Sequence, residues 1–342
     1  MNVLIAGRTG VGKSTLINAI FQGQMAETGQ GRPVTPDTRE ITKEGVPLAI
    51  WDTRGLELAA FDQTLAELEQ VVSARSLERD PNRHIHVAWL CVQEDGRRVE
   101  DAEVRLQQML ARHMPVLGVI TKARADKGFR AEVQRLLPQA RNVVRVRALA
   151  EELDDGHQLG PMGLEELVQL TSEVIPEGRQ RAFAASQKAS LDYKKKVAHR
   201  IVAGAAVSAA AIGAVPIPFA DAILLVPIQV GMLAGISSTF GLTPSTAFLG
   251  TLVASAAGAG GAAYLGRAIV ANLLKFIPGL GTGAGAAISG TTAAGLTTVL
   301  GEAYIATLAK LFFSTGGETP SPEAITEAFK ERMLAGPESR GA

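Results

Sequence analysis

The sequence predicts two unlike halves. The first is an α/β domain with a doubly wound, mostly parallel sheet, and the second an all-α domain of Ala/Gly-rich helical hairpins. Three observations carry this. Apolar runs of strand length alternate with helix-spaced segments from Val3 to Val174. A glycine-rich loop, Gly7-Arg8-Thr9-Gly10-Val11-Gly12-Lys13-Ser14, joins the first strand to the first helix. From Ile201 to Gly301 the only charged residues are Asp221, Arg267 and Lys275, where a soluble stretch of that length carries roughly a quarter.

The totals set bounds. A length of 342 residues suggests about two domains. Lys plus Arg and Asp plus Glu stand at 34 each, so no overall field points to nucleic acid or to an acidic partner. The single cysteine, Cys91, excludes an internal disulfide and reads as a core thiol in the run 87–92. No basic leader or cleavage pattern follows Met1, so no signal peptide is expected. His84, His86, His113, His157 and His199 show no zinc spacing, and His84 and His86 are expected at the wet end of a strand.

The elements follow in order. Val3 to Ala6 is a strand and Thr15 to Phe21 a helix, which places the glycine loop between them. Strand, G-x-x-x-x-G-K-S loop and helix make the phosphate-binding P-loop. Its glycines let successive N–H groups point at phosphate oxygens, and the positive end of the helix faces the same anion. Lys13 is placed to reach the β- and γ-phosphates and Ser14 to offer a hydroxyl to Mg²⁺. The segment from Gln22 to Thr38 is polar and reads as a mobile loop. Thr35 is the candidate there for metal and γ-phosphate, with Thr38 in reserve. Val46 to Trp51 reads as a strand delivering Asp52-Thr53-Arg54-Gly55, whose acid suits Mg²⁺ and whose glycine suits the γ-phosphate. Leu56 follows where a glutamine would orient the attacking water, so slow hydrolysis is expected unless another group or a partner places it. Glu57 is displaced by one position, and Arg54 is either a charge stabiliser or a surface residue.

Helices are expected over 61–78, 99–111, 129–137 and 164–174, with strands over 85–92, 116–120 and 143–146. The strand 116–120 ends in Thr121-Lys122-Ala123-Arg124.

The run G-R-T-G-V-G-K-S-T-L-I-N, then Thr35, D-T-R-G at 52–55 and T-K at 121–122 resembles the Era-like branch of bacterial small GTPases, over about residues 1–175. The resemblance implies a Ras-like P-loop G domain that binds GTP and GDP with Mg²⁺ and hydrolyses GTP. It implies that Gly7, Arg8, Thr9, Gly10, Val11, Gly12, Lys13, Ser14 and Thr15 cradle the nucleotide. Ser14, Thr35 and Asp52 then serve the metal, while Lys13, Thr35 and Gly55 act at the γ-phosphate. Thr121, Lys122 and Ala148 line the base. The chain departs from the family in three places. The acid of N/T-K-x-D is Arg124, with Asp126 two residues late and able to substitute if the loop bulges. The S-A-K signature shrinks to something near Arg147-Ala148-Leu149. Gly10 stands where some relatives carry a potassium-binding Asn.

Pro176-Glu177-Gly178-Arg179 marks a boundary. The expected organisation is a G domain over 1–176, a polar and basic linker helix over 177–200, a hydrophobic helical domain over 201–314, and a flexible tail over 315–342 with a short helix near 322–334 capped by Ser321. Ile217-Pro218 and Ile277-Pro278 suggest a weak tandem repeat of two hairpins, 198–215 with 219–240 and 262–277 with 280–313, joined by 243–261.

Two readings of this half stand. In one, the hairpins enter the inner face of a membrane shallowly, with Lys194, Lys195, Lys196, His199 and Arg200 at the headgroups. In the other they pack on each other as a soluble domain or oligomer core in the cytoplasm. Asp221 is expected to cap a helix after Pro218. The segments 216–222 and 124–130 carry a closer resemblance, to Era-like GTPases with a C-terminal hydrophobic helical domain. The partners implied are guanine nucleotide, membrane lipid, and a second copy or an activating protein, with no nucleic acid.

Overall fold

The structure, a computed structural model, describes residues 1–21, 30–35, 38–42, 47–53, 61–213, 220–257, 290–317 and 319–335. It divides into two compact units, 1–190 and 191–342.

In the first unit seven strands make one sheet: β1 (Asn2–Ala6), β2 (Gln30–Thr35), β3 (Thr38–Thr42), β4 (Ala49–Thr53), β5 (Val87–Gln93), β6 (Val116–Thr121) and β7 (Asn142–Arg145). Their order is β2-β3-β4-β1-β5-β6-β7. From β4 to β7 all pairings are parallel, and β2 and β3 add an antiparallel edge. The expected mostly parallel sheet is therefore found. Its central strands are apolar on both faces, as parallel strands covered by helices must be. The helices are α1 (Lys13–Ile20), α2 (Phe61–Ser76), α3 (Asp101–Ala111), α4 (Phe129–Leu136), α5 (Leu164–Val174) and α6 (Glu177–Ser186). Leu68 of α2, Leu106 and Leu110 of α3 and Val133 of α4 share one buried cluster with Leu4, Trp51 and Leu90 of the sheet. On the other face Trp89 donates its indole N–H to Thr171 of α5 at 3.1 Å. Phe21 stacks on Trp89 at 5.6 Å and meets Phe183 of α6 edge-on. Cys91 is buried in β5.

Three expectations change here. Residues 30–35 and 38–42, within and beside the expected polar loop, are strands. An edge hairpin needs no apolar alternation and tolerates Pro33, so hydropathy does not reveal it. Residues 177–200 are not one helix: α6 ends at Ser186 and a new helix begins at Leu191. His86 is not at a wet end. It is buried, and its Nδ1 accepts the Asn2 N–H at 3.0 Å.

Burial, then the N-terminal ammonium and Arg179, lower the His86 pKa to about 4. The folded state thus holds His86 neutral where the unfolded chain takes up a proton. Its stability contribution is complete above pH 6.5 and falls as pH drops toward 4. We expect the first unit to lose at most about 2 kcal/mol from this group by pH 5. Urea melts at stepped pH should show that slope in the wild type and not in His86→Asn; equal slopes would refute it.

The second unit is helical: α7 (Leu191–Gly213), α8 (Ala220–Thr239), α9 (Thr246–Ala257), α10 (Gly290–Ser314) and α11 (Pro322–Ala335). Met232, Phe240, Leu252, Tyr304, Phe312 and Phe329 lie in its core. The Tyr304 hydroxyl and the Ser237 hydroxyl are 2.9 Å apart. The first expected hairpin corresponds to α7 and α8, and the expected connection contains α9. Residues 258–289, with Ile277-Pro278, Arg267 and Lys275, lie outside the described residues, as do Ile217-Pro218 and the Asp221 side chain. Ser321 caps α11, its hydroxyl accepting the Ala324 N–H at 3.2 Å. This helix is not loose, since Ile325, Phe329 and Met333 are buried.

Candidate functional site

The site begins where β1 hands the chain to α1. Gly7 has φ +147°, and a Cβ there would sit 2.5 Å from the Cys91 carbonyl oxygen. Only glycine lets the loop pass so close to β5. Gly12, at φ +95°, is the N-cap of α1, and among the described residues no side chain caps the helix. The first-turn N–H groups are thereby left for an anion. Lys13 is 8% exposed, and its ammonium donates to the carbonyls of Gly7 (2.8 Å) and Arg8 (3.1 Å). The cation is held inside the ring of backbone that would receive a phosphate. Thr9, Gly10, Ser14 and Thr15 are exposed, whereas Val11 is buried.

Arg8 contributes backbone alone. Its guanidinium donates to Glu103 at 2.9 Å and to Glu100 at 2.7 Å, at the start of α3. Burial pushes the Glu103 pKa up, against the pull of the Glu100 N–H and of Arg8.

The end of β6 clamps the loop. The Thr121 hydroxyl donates to the Val11 carbonyl at 2.6 Å, and the Lys122 ammonium to the Gly10 carbonyl at 2.8 Å. Lys122 takes φ +52° to do so. Thr121 and Lys122 thus hold the glycine loop and also line the cavity beside it.

Asp52 lies in β4 in register with Ile5 of β1, two residues before Gly7. Thr35 ends β2, paired with Thr38 of β3. The side chains of Thr35, Thr38 and Asp52 lie outside the described residues, as does the whole of Arg54, Gly55, Leu56 and Glu57.

From Gly12 and Thr15 a cavity of about 290 Å³ extends past Lys122 to Ala148 and Leu149. Ala148 lines it. Asp126 is not among its lining residues. Its carboxylate accepts the Arg130 N–H at 2.8 Å, capping α4, and lies 3.7 Å from Arg145. Two other acids line the cavity, Asp95 and Glu151, and neither stood out in the sequence. Glu151 opens a short hairpin of β8 (Glu151–Glu152) with β9 (Gln158–Leu159). Arg124 forks onto Glu151, its Nε 2.9 Å from Oε2 and its Nη2 against Oε1. That guanidinium holds the Glu151 carboxyl below the usual range.

Glu94, also missed, organises the loop from behind. It is 3% exposed and accepts the N–H groups of Arg124 and Ala125 and the Arg145 Nε at 2.7 Å. Burial alone would raise its pKa; Arg145 and the two N–H groups outweigh that and hold it down. The only advance signal for these acids was the missing Asp at 124. Together the site offers an anion cradle at one end and a pocket edged by carboxylates at the other, which suits a nucleotide.

Residues 2–122 match the family model described as 50S ribosome-binding GTPase, and residues 179–333 match that of a domain of unknown function, DUF697. The tRNA modification GTPase MnmE of Paracidovorax citrulli is 31% identical over 145 residues, covering 39% of this chain and 28% of that protein. Translocase of chloroplast 159 of Arabidopsis thaliana is 42% identical over 66 residues, covering 19% and 4%. Human Septin-9 is 25% identical over 147 residues, covering 36% and 25%. The chain thus spans less than a third of the length of these relatives. Among solved structures, a probable GTP-binding protein engB aligns over 51% of this chain and 98% of its own, at 18% identity and TM-score 0.37. Over residues 2–122 the chain is thus similar to P-loop GTPase domains, and over residues 179–333 to DUF697 domains.

Proposed function

We propose that the chain is a Mg²⁺-dependent GTP-binding switch of the Era-like branch, hydrolysing GTP slowly, at the inner face of a membrane. The observation that carries the nucleotide reading is the Lys13 ammonium held inside a helix start whose N-cap is a glycine. Mg²⁺ suits the exposed hydroxyl of Ser14 and the strand-end position of Asp52, and when bound it draws charge from the phosphates. Leu56 supplies no water-orienting group, so a second copy or an activating protein would have to provide one.

The membrane reading rests on one end of the helical unit. Val207 of α7 is 71% exposed and Val226 of α8 43% exposed, close in sequence to Ala209 and Leu225, which form a small buried cluster with Ala293. Lys195 and Lys196 precede Val207 by about 16 Å of helix, about the depth of one leaflet's hydrocarbon. The basic cluster is thinner than expected. Lys194 is fully buried, and His199 faces Glu302 at 2.9 Å. The stretch Ala293–Ser314 is long and apolar enough to cross a membrane, but half of it is buried within the unit, which favours shallow attachment. The well-packed core around Phe240 and Tyr304 favours the second reading, a soluble nucleotide-gated scaffold.

Phosphate release from GTP, with Mg²⁺ and with chelator, combined with flotation on anionic phospholipid vesicles, tests both. Slow Mg²⁺-dependent release and salt-weakened flotation that Val207→Asp reduces are expected. Tight GTP binding with no release would favour the scaffold. Failure to float in either nucleotide state would end the membrane reading.

A further inference from the structure

We propose that Glu151 reads the base, in place of the acid the chain lacks at position 124, and that Arg124 is the counter-ion that aims it. This rests on the nucleotide reading above and names the nucleotide. Among the described residues, four carboxylates bear on the cavity and the loop behind it, while Asp154 lies near Arg124 but does not line the cavity. Glu94 is buried behind the loop with three donors on it. Asp126 caps α4 and does not line the cavity. Asp95 lines the cavity but takes its side-chain contact from Gln93, at 3.3 Å. Glu151 lines the cavity three residues after Ala148, with its side chain 30% exposed, and is oriented by a two-pronged contact from Arg124.

A carboxylate offers about four acceptor sites. Arg124 takes one on each oxygen, which leaves the others for a ligand. Guanine presents two N–H donors side by side, N1–H and the 2-amino group, and an acceptor-only carboxylate complements both. Adenine places the acceptor N1 beside its amino group, so one contact turns repulsive. Xanthine keeps N1–H but places a carbonyl oxygen where guanine has the amino group, again facing a carboxylate. Glu151 therefore selects guanine. A residue that opens β8 does here what the residue at 124 does in the resembling family, and Arg124 becomes a positioning residue.

The chemistry supplies a gain-of-function test. In Glu151→Gln the side chain offers one carbonyl acceptor and one amide donor, the complement of xanthine's N1–H and O2. The full chain, the wild type and Glu151→Gln, Asp126→Asn and Asp95→Asn variants should be titrated with GTP, ATP and XTP in Mg²⁺, with a thermal melt of each. The wild type should prefer GTP. Glu151→Gln should lose about ten- to hundredfold in GTP affinity and gain a similar factor for XTP, with its melting temperature unchanged. Retained GTP preference in Glu151→Gln would overturn the assignment. So would a switch to XTP in Asp126→Asn or Asp95→Asn. A wild type that binds GTP and ATP equally would also overturn it while leaving the nucleotide reading standing. A wild type that binds no nucleoside triphosphate would overturn both.

Discussion

Lys13→Ala is expected to lower GTP affinity by about a thousandfold. In the structure the Lys13 ammonium is satisfied by two neutral carbonyls, those of Gly7 and Arg8. A bound nucleotide exchanges them for anionic phosphate oxygens. Hydrogen bonds of a charged donor to a charged acceptor contribute about 1.5–3 kcal/mol each. Two such bonds come to about 3–6 kcal/mol, or about two to four orders of magnitude in affinity. The substitution also removes the donor from two loop carbonyls, so the cradle itself slackens. Lys13→Met separates the effects, because it retains the aliphatic stem in a position that is 8% exposed. Both variants should lose GTP binding in fluorescence titrations, and GTP should no longer raise their melting temperature. Affinity like that of the wild type in either variant would remove the glycine loop from the site.

The parts of this site that were legible in the sequence are local ones. The loop from Gly7 to Ser14 carries its chemistry within eight consecutive residues, and its strand and helix flank it directly. Thr121 and Lys122 were legible as a motif, but their hold on Val11 and Gly10 was not, because it spans over a hundred residues of chain. Position 124 read as a deficit. Its meaning depends on Glu151, which only the return of the chain after β7 brings to Arg124. The β2–β3 hairpin was missed because its residues, such as Arg32, Pro33 and Glu40, show no apolar alternation. Lys194 is a different kind of miss. It reads as one of three basic residues in a row, yet it shares the spacing of the buried Val197, Ala198 and Val202 and the partly buried Ile201, which form the inward stripe of α7. In the structure its ammonium donates to the Thr239 carbonyl at 3.1 Å and lies over the rings of Phe240 and Phe312. Burial lowers its pKa to about 7. The helical period decided its environment, and the charge run did not.

The second large effect is expected at Gly301, where α10 meets α7. A Cβ at this position would lie 2.6 and 3.1 Å from the two methyls of Val202 and 3.0 Å from the sulfur of Met232. Met232 is flexible and can move aside. Val202 cannot, because a β-branched side chain in a helix has one strongly preferred rotamer. The helices must therefore separate. Overpacking of this kind costs about 1–3 kcal/mol, against which alanine gains about 1 kcal/mol of helix propensity over glycine. Gly301→Ala should be destabilising by up to about 2 kcal/mol, and Gly301→Val by more than 3, since valine adds two methyls at the same contact and no helix propensity comparable to alanine's. Chemical denaturation followed by circular dichroism would show this in the helical unit, with GTP affinity of the first unit as the internal control. Val202→Ala removes the obstructing methyls, so the double variant Gly301→Ala/Val202→Ala should recover most of what the Gly301 change cost, with a coupling of about 1–2 kcal/mol. The sign of the single alanine variant decides the matter. An isolated helix would be stabilised by that change, so a rise in stability would mean that α7 and α10 are not packed at Gly301. A fall that Val202→Ala rescues would tie the uncharged end bearing Val207 to the same close-packed pair of helices.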